Sequence, residues 1–426
     1  MKKIGQYSLF FATIFLIAEG LWGSQFAPKN LTGQFIWVHY RGILVLTLLF
    51  AGNYFCTLCP FVFLRNGFRL FITPKKIYPK ILTNKWTALL LFSCMLFSYE
   101  YFSLWGKPRL TALVIMAYFL VALVVDIVFK NASFCKYLCP IGQFNFLSST
   151  LSPREVKAID LKVCNTCTTF ECLKGNKSRN KNSSIPLRGC ETQLFIPKKV
   201  GNLDCTFCMD CISACPYQNV AVLKVVPGME LALEEHRSGI GLLTDKRDWL
   251  ALICVFTFGG LLNAFMMVDK RYELARFLSS AVSIQSEFVM TLIFFIAVLS
   301  PPLLLCLWLP KKFLRLIPTL IPLGFSIWLS HYSFHFLTGV FSFIPLLFHY
   351  QIPISLMGVP LSIVVPIQMG ILCFGFFASI VLTIKNQASK DSKIFYSFIH
   401  GLVFFLAIWI MSQSMEMRGT FIGVNP

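Results

Sequence analysis

The most chemically informative stretch of the chain is residues 205–216, which reads CTFCMDCISACP. Its four cysteines are separated by two, two and three residues, and a proline follows the last one. This spacing is typical of cysteines that bind [4Fe–4S] clusters through thiolate–iron bonds. A mononuclear zinc site instead needs two cysteine pairs separated by a longer loop, so that four sulfurs can converge as a tetrahedron. The tight triplet therefore favours iron–sulfur chemistry over zinc.

A second group of cysteines lies upstream. Cys164, Cys167 and Cys172 form a looser triplet, and Cys190 follows after a long polar insert, with Glu191 rather than proline behind it. In two-cluster ferredoxins the last cysteine of a run binds the cluster that the other run holds. We therefore predict two [4Fe–4S] clusters with exchanged ligands. The first set is Cys164, Cys167, Cys172 and Cys215, and the second set is Cys190, Cys205, Cys208 and Cys211.

The composition predicts a membrane protein. The 426 residues are 56% hydrophobic and 13% charged, with a mean hydropathy of +0.69, whereas soluble proteins carry about 25% charged residues. Apolar runs of roughly twenty residues recur, each long enough to cross a bilayer. The net charge of +19 does not indicate nucleic-acid binding, because Lys and Arg cluster in the loops between apolar runs, as the positive-inside rule describes.

The same charge pattern predicts the topology. We expect about nine transmembrane helices, with the N terminus inside and the C terminus outside. Helix seven is expected at 317–329. Residues 331–350 are expected to be re-entrant or interfacial, because a further span there would place the basic 385–393 loop outside. The predicted fold is thus a polytopic α-helical membrane protein. It has a four-helix region at 1–150, a cytoplasmic two-cluster ferredoxin-like α+β domain at 151–248 and a C-terminal helical region at 249–426.

Cysteine usage predicts the compartment. Twelve of the sixteen cysteines lie in ligand-like or Cys-Pro motifs, so a reducing environment is favoured over a disulfide framework. The first apolar run has no convincing small-residue cleavage site and predicts an uncleaved helix. We expect a cytoplasmic (inner) membrane protein whose clusters face the cytoplasm.

Two further cysteine pairs occur where helices two and four should reach the cytoplasm. They read FCTLCP from residue 55 and FCKYLCP from residue 134, which indicates an internal duplication of a two-helix hairpin. The residue before a proline avoids the helical conformation, so the second cysteine of each pair should mark a helix end. The i, i+3 and i, i+4 spacings also predict that both sulfurs of a pair lie on one helix face. We call these four residues the Cys-Pro thiols: Cys56, Cys59, Cys135 and Cys139. They are candidates for a further iron–sulfur centre, for a redox dithiol couple or for buried structural residues.

Other polar residues in the apolar runs are weaker candidates. His331 and His335 are one helical turn apart and could bind a metal. A haem would need His349 or His400 as a ligand from another helix, and no CxxCH motif occurs, so haem is not favoured. Asp126 is expected to reach the membrane interface beside Lys130.

The motifs in residues 35–225 together resemble those of the NapH/NosR-type membrane polyferredoxins. Both combine Cys-Pro pairs at transmembrane helix ends with a following CxxCxxCxxxCP run, although the Cys56–Cys59 pair is one residue shorter than the usual CxxxCP. The resemblance implies electron transfer between the membrane quinone pool and other redox subunits, as part of a quinol dehydrogenase. A CcoG-like assembly factor that reduces a metal or a thiol is the alternative. A transporter with redox-sensing clusters is a third hypothesis.

Overall fold

The structure is a computed structural model that describes residues 2–176, 187–283, 285–348 and 358–416. Helices dominate these ranges, which contain one sheet of two strands. Short 3₁₀ turns connect several of the helices. The helices before the cysteine segments are α1 (Lys2–Trp22), α2 (Leu31–Ala51, with a π-helical stretch at Phe35–Tyr40), α3 (Tyr54–Leu58), α4 (Pro60–Phe68), α5 (Trp86–Tyr101), α6 (Pro108–Val128), α7 (Ser133–Tyr137) and α8 (Pro140–Ser148).

The central and C-terminal elements follow in order. The cysteine segments contain β1 (Arg154–Ala158), α9 (Leu161–Asn165), α10 (Glu171–Lys174), α11 (Asp210–Ala214) and β2 (Val220–Lys224). The C-terminal part contains α12 (Arg247–Phe265), α13 (Asp269–Val282), α14 (Glu287–Trp308), α15 (Lys311–Leu314), α16 (Ile321–Thr338), α17 (Ile344–Phe348), α18 (Leu361–Lys385) and α19 (Lys390–Met411).

Eight segments in the described ranges are long and apolar enough to cross a membrane. By length and composition the chain is therefore a polytopic helical membrane protein. The ninth predicted span, α5, has 16 residues, just below the usual lower limit of about 17. The eight segments are α1, α2, α6, α12, α14, the stretch from α15 to α16, α18 and α19.

One predicted helix boundary is wrong. The charge pattern predicts that helix seven ends at residue 329 and that His331 and His335 lie in a separate re-entrant or interfacial segment, but α16 continues through both histidines to Thr338. The stretch from Phe325 to Thr338 contains no proline or glycine, so nothing breaks its hydrogen bonding. The helix ends where the Gly339 N–H donates to the carbonyl of His335 at 3.1 Å. Charge in a distant loop does not act on this local preference.

The mixed-charge segment after α12 is also helical. It forms α13, a helix with Asp269 in its first turn and an ion pair between Lys270 and Glu273 at 2.8 Å. An acidic residue near a helix N terminus and a cation three residues from an anion both stabilise a helix modestly. The helix ends before Ser283, which adopts the left-handed conformation with φ 57°.

Contacts divide the chain into two compact units. The first comprises Met1–Phe10, Thr47–Ala88 and Val121–Leu250, and the second comprises Phe11–Leu46, Leu89–Leu120 and Ala251–Pro426. Every cysteine of the first set, the second set and the Cys-Pro thiols belongs to the first unit. The chemistry predicted for the cysteines is therefore confined to one compact unit, whereas His331 and His335 belong to the other.

The core of the first unit is built on the two strands. β1 pairs with β2 in antiparallel register, with Val156 opposite Val222 and Ala158 opposite Val220. Residues of one sheet face pack with the cysteine segments in a single apolar cluster, because alternate strand residues point to the same side. The cluster members besides cysteine are Val156, Ala158, Leu194, Ile196, Phe207 and Val220.

Candidate functional site

The strand pairing brings the two cysteine runs together at one end. β1 leads into the upstream triplet and β2 follows the downstream run, so their antiparallel contact places residue 160 beside residue 219. The Asn219 side chain donates to the Asp160 carbonyl at 2.7 Å and to Cys164 Sγ at 3.3 Å, and its Oδ1 accepts from the Asp160 N–H at 2.9 Å. The Asn219 backbone N–H donates to Cys215 Sγ at 3.4 Å. Asn219 therefore connects the two runs.

The first set lines one cavity. All four of its cysteines line a small cavity of about 20 Å³, together with Phe170, Phe195 and Tyr217. Burial, together with the neighbouring Cys215, Cys164 and Cys167, raises the pKa of Cys172 to about 11. Metal binding must displace the proton of such a thiol.

The second set is more deeply enclosed. Cys190, Cys205 and Cys211 are buried, and burial raises the pKa of Cys211, with Cys205 and Cys190 adding to the effect. Cys190 Sγ accepts from the Leu194 N–H at 3.3 Å. Cys190 and Cys205 thus lie near Cys211, and Cys215 lies beside the upstream triplet. The exchange of cluster ligands between the two runs stays a prediction.

The backbone of the downstream run is tightly curved. Asp204, Phe207 and Met209 all adopt positive φ, between 54° and 64°, although such conformations are uncommon outside glycine. Backbone strain of this kind persists where the surroundings fix it, often at binding sites. The left-handed residues precede or separate the cysteines of the run and wrap the chain closely around them.

The Cys-Pro pairs form two matching local structures. Cys59 lies between α3 and α4, and Cys139 follows α7 and precedes α8; both have non-helical backbone angles, with ψ 127° and 110°. The prediction that each marks a helix end is confirmed. The prediction that both sulfurs of a pair share a helix face is wrong, because α3 ends at Leu58 and α7 at Tyr137. The proline after each second cysteine ends the first helix before the pair is complete.

Two contacts bring the Cys-Pro pairs together. The Asn145 amide, on α8, donates to Cys56 Sγ at 3.3 Å, and the rings of Phe61 and Phe134 lie 5.6 Å apart. Cys139 Sγ accepts from the Gly142 N–H at 2.9 Å. Burial raises the pKa of Cys56, and the nearby Cys139 and Cys59 add to the rise. The Cys-Pro thiols therefore gather in one place.

The first Cys-Pro helix is also attached to the downstream run. The Asn53 amide donates to the Cys205 carbonyl at 2.9 Å, and Thr57 Oγ1 donates to the Thr206 carbonyl at 3.0 Å. Phe207 packs against Gly52, where a Cβ atom would lie 2.8 Å from its ring. Gly52 has φ 78°, which only glycine adopts freely. The turn between α2 and α3 thus permits this close approach.

Buried ion pairs fix these segments to one another. Arg65, on α4, lies 2.6 Å from Glu191 and 3.4 Å from Asp126, and Asp126 accepts from the Phe134 N–H at 2.9 Å. Asp126 is completely buried, so its expected position at the membrane interface beside Lys130 is wrong. The arginine partner explains the burial, since a charge leaves water only when it is paired.

A second buried ion pair joins other parts of the same unit. Lys85 Nζ lies 2.6 Å from Asp204 and donates to the Lys136 carbonyl at 2.6 Å. It also lies 4.4 Å from the centre of the Trp249 ring. Burial lowers the pKa of Lys85, and the Asp204 carboxylate opposes that change. Lys85 thereby links Lys136, the residue after Cys135, to Asp204 at the start of the downstream run.

The spacing of the cysteines bears on the kind of metal they fit. In the described part of the chain, no three His, Cys, Asp or Glu side chains lie close enough to bind one metal ion. Zinc would hold its sulfurs about 3.8 Å apart, because Zn–S bonds are about 2.3 Å long. Each cysteine of a [4Fe–4S] cluster binds a different iron and lies farther from the others. The [4Fe–4S] clusters stay a prediction.

The histidines do not extend this chemistry. His331 and His335 lie on successive turns of α16 with their rings 5.1 Å apart, and His335 Nε2 is 3.0 Å from Met267 Sδ. His400 Nε2 instead contacts the hydroxyls of Thr319 and Thr383, each at 3.1 Å. His349 lies outside the described residues. A metal at His331 and His335 stays a prediction.

Known proteins do not identify a family for this chain. The chain is 28% identical over 232 residues to an uncharacterized protein of Methanocaldococcus jannaschii, and the alignment covers 50% of this chain and 83% of that protein. No protein-family profile matches the chain. No solved structure matches it. The resemblance to membrane polyferredoxins therefore rests on the motifs alone.

Proposed function

We propose that the chain is a membrane-bound iron–sulfur protein that relays electrons between the quinone pool and a redox partner. The observation that carries this proposal is the grouping of the first set around one cavity, with three cysteines from one run and the fourth from the other. Asn219 contacts cysteines of both runs and supports this grouping. When bound, a [4Fe–4S] cluster accepts and donates single electrons.

The residues of the chain assign different tasks to the two sets. Cys164, Cys167 and Cys172 of the first set are partly exposed, so this set is suited to exchange electrons with a soluble partner or another subunit. The second set is enclosed in the core, where exclusion of water and hydrogen bonds to sulfur tune the potential of a bound cluster. The Leu194 N–H supplies one such bond to Cys190.

The proposed location is the cytoplasmic (inner) membrane, with both sets on the cytoplasmic side. The positive-inside charge pattern and the enrichment of cysteine in ligand motifs support it. Quinone is the proposed lipid-soluble partner because the motifs resemble those of NapH/NosR-type polyferredoxins. A quinol dehydrogenase with further redox subunits is the corresponding complex.

A second candidate is a factor that reduces a metal or thiol during assembly of another complex, as in CcoG-like proteins. The gathering of the Cys-Pro thiols favours it, because a simple relay between two clusters does not need four further thiols. Oxidation of the dithionite-reduced protein separates the two functions. A quinone analogue as the effective oxidant supports the relay, whereas preferential oxidation by Cu(II) supports the assembly factor.

The test of the proposed clusters is an iron and sulfide count on anaerobically purified protein, with EPR after reduction by dithionite. We expect at least about eight irons and as many sulfides per chain, from two four-iron clusters. Cys215→Ser should remove the cluster of the first set, and Cys190→Ser should remove the cluster of the second set. Cys94→Ser, an exposed cysteine outside the motifs, is the matched control. Zinc without labile sulfide would contradict the proposal.

A further inference from the structure

We propose that the Cys-Pro thiols bind a third iron–sulfur cluster, with Cys56 and Cys59 from one repeat and Cys135 and Cys139 from the other. This site goes beyond the two clusters of the proposed function. Four cysteine thiolates are the usual ligand set of both [2Fe–2S] and [4Fe–4S] clusters.

The first support is the way the two repeats meet. Asn145 on α8 reaches across to Cys56 Sγ at 3.3 Å, and Phe61, two residues after Cys59, packs on Phe134, directly before Cys135. The contacts join the two equivalent cysteine pairs rather than unrelated surfaces. A duplicated hairpin thus contributes two ligands from each copy to a shared position.

The second support is the hydrogen bonding to sulfur. Cys139 accepts from the Gly142 N–H at 2.9 Å and Cys56 accepts from the Asn145 amide. N–H groups directed at sulfur stabilise negative charge there, as they do for the thiolates of iron–sulfur clusters. A disulfide has no such charge, so these donors favour a metal-bound thiolate over an oxidised dithiol.

Burial distinguishes the remaining alternatives. A redox dithiol needs a reactive thiolate in a partly exposed, electropositive setting, but Cys139 is buried. Purely structural cysteines would not require two matched pairs with donors aimed at their sulfurs. A bound cluster accounts for both the burial and the donors.

The position is also suited to electron transfer. Asn53 and Thr57, on either side of the start of α3, donate to the carbonyls of Cys205 and Thr206. The helix that carries Cys56 therefore contacts the run that carries the second set. Arg65 pairs with Asp126 and Glu191 and so fixes α4, the helix that follows Cys59.

The test compares iron content and EPR spectra of the native protein with those of Cys56→Ser, Cys139→Ser and the control Cys94→Ser. We expect the native protein and the control to contain about ten to twelve irons. The two Cys-Pro variants should fall to about eight while keeping the signals of the other two clusters. About eight irons in all four proteins would overturn the third cluster and leave the proposed function standing. Fewer than eight in the native protein would overturn the proposed function itself.

A milder variant tests the same proposal in case the serine substitutions prevent folding. Asn145→Ala removes only the donor to Cys56, so it should keep the iron and lower the midpoint potential of one cluster. The cluster affected should be neither the one lost in Cys215→Ser nor the one lost in Cys190→Ser. An unchanged set of potentials, together with four additional titratable thiols in the native protein, would assign the Cys-Pro thiols to a metal-free role.

Discussion

Removal of the Asn219 side chain gives the sharpest test of how the first set is assembled. Asn219→Ala deletes three hydrogen bonds, two with Asp160 and one to Cys164 Sγ. Each contributes about 0.5–1.5 kcal/mol net. Because Asp160 is exposed, water can replace the lost amide at its backbone, and the expected loss of unfolding free energy is about 2 kcal/mol.

The same substitution should change the redox potential of the cluster on the first set. A donor to sulfur stabilises the more negative, reduced state, so its removal lowers the potential. If the bond stabilises the reduced cluster over the oxidised cluster by about 0.5–1 kcal/mol, its removal lowers the one-electron potential by about 20–40 mV. The conversion is that about 1.4 kcal/mol corresponds to about 59 mV for one electron. EPR-monitored redox titration of the cluster that is lost in Cys215→Ser measures this shift.

Asn202 is the matched control for this experiment. It is also buried, and its amide donates two bonds of 2.8 Å, but to the carbonyls of Ser149 and Arg154 rather than to a sulfur. Asn202→Ala should lower stability by a similar amount and leave that potential unchanged. Equal shifts in the two variants, or no shift in Asn219→Ala with the cluster retained, would refute the role of the Asn219–sulfur bond.

Two further predictions concern the buried ion pairs. Arg65→Met should destabilise the protein by about 3–5 kcal/mol, because it leaves Asp126 and Glu191 buried without their cation. Denaturation in detergent measures this loss of unfolding free energy. A loss below about 1 kcal/mol would contradict the pairing. Lys85→Met should have a comparable effect through Asp204. Lys270→Ala breaks an exposed ion pair with Glu273 and should cost less than about 1 kcal/mol, so an equal loss in the last two variants would argue against burial as the cause.

The sequence could predict features that depend on local rules. Proline fixes the conformation of the residue before it, which is why the helix ends at Cys59 and Cys139 could be placed. Runs of apolar residues identify the spans because every backbone group in a bilayer must be hydrogen-bonded within the segment. The continuity of α16 was not predicted, because the charge of the 385–393 loop suggested a break within a sequence that is helical throughout.

Partners that are distant in the chain could not be predicted in this way. Asn145 and Cys56 are 89 positions apart, and Asn219 and Cys164 are 55 apart. A single asparagine among many carries no periodicity that would mark it as a donor to sulfur. Nothing in the sequence distinguishes Arg65 from the other basic residues between the apolar runs, because its burial depends on two carboxylates that only the folded chain brings near.

Taken together, the exposure of the three cysteine groups argues for an order of electron flow. Cys164, Cys167 and Cys172 of the first set are partly exposed, whereas Cys190, Cys205 and Cys211 of the second set are buried and less accessible to a soluble partner. The second set contacts the first Cys-Pro helix through Asn53 and Thr57. Electrons that enter at the first set would therefore reach the Cys-Pro thiols through the second set. Loss of the second set in Cys190→Ser should then prevent a soluble donor from reducing a cluster at the Cys-Pro thiols, while dithionite, a small reductant, should still reduce it more slowly.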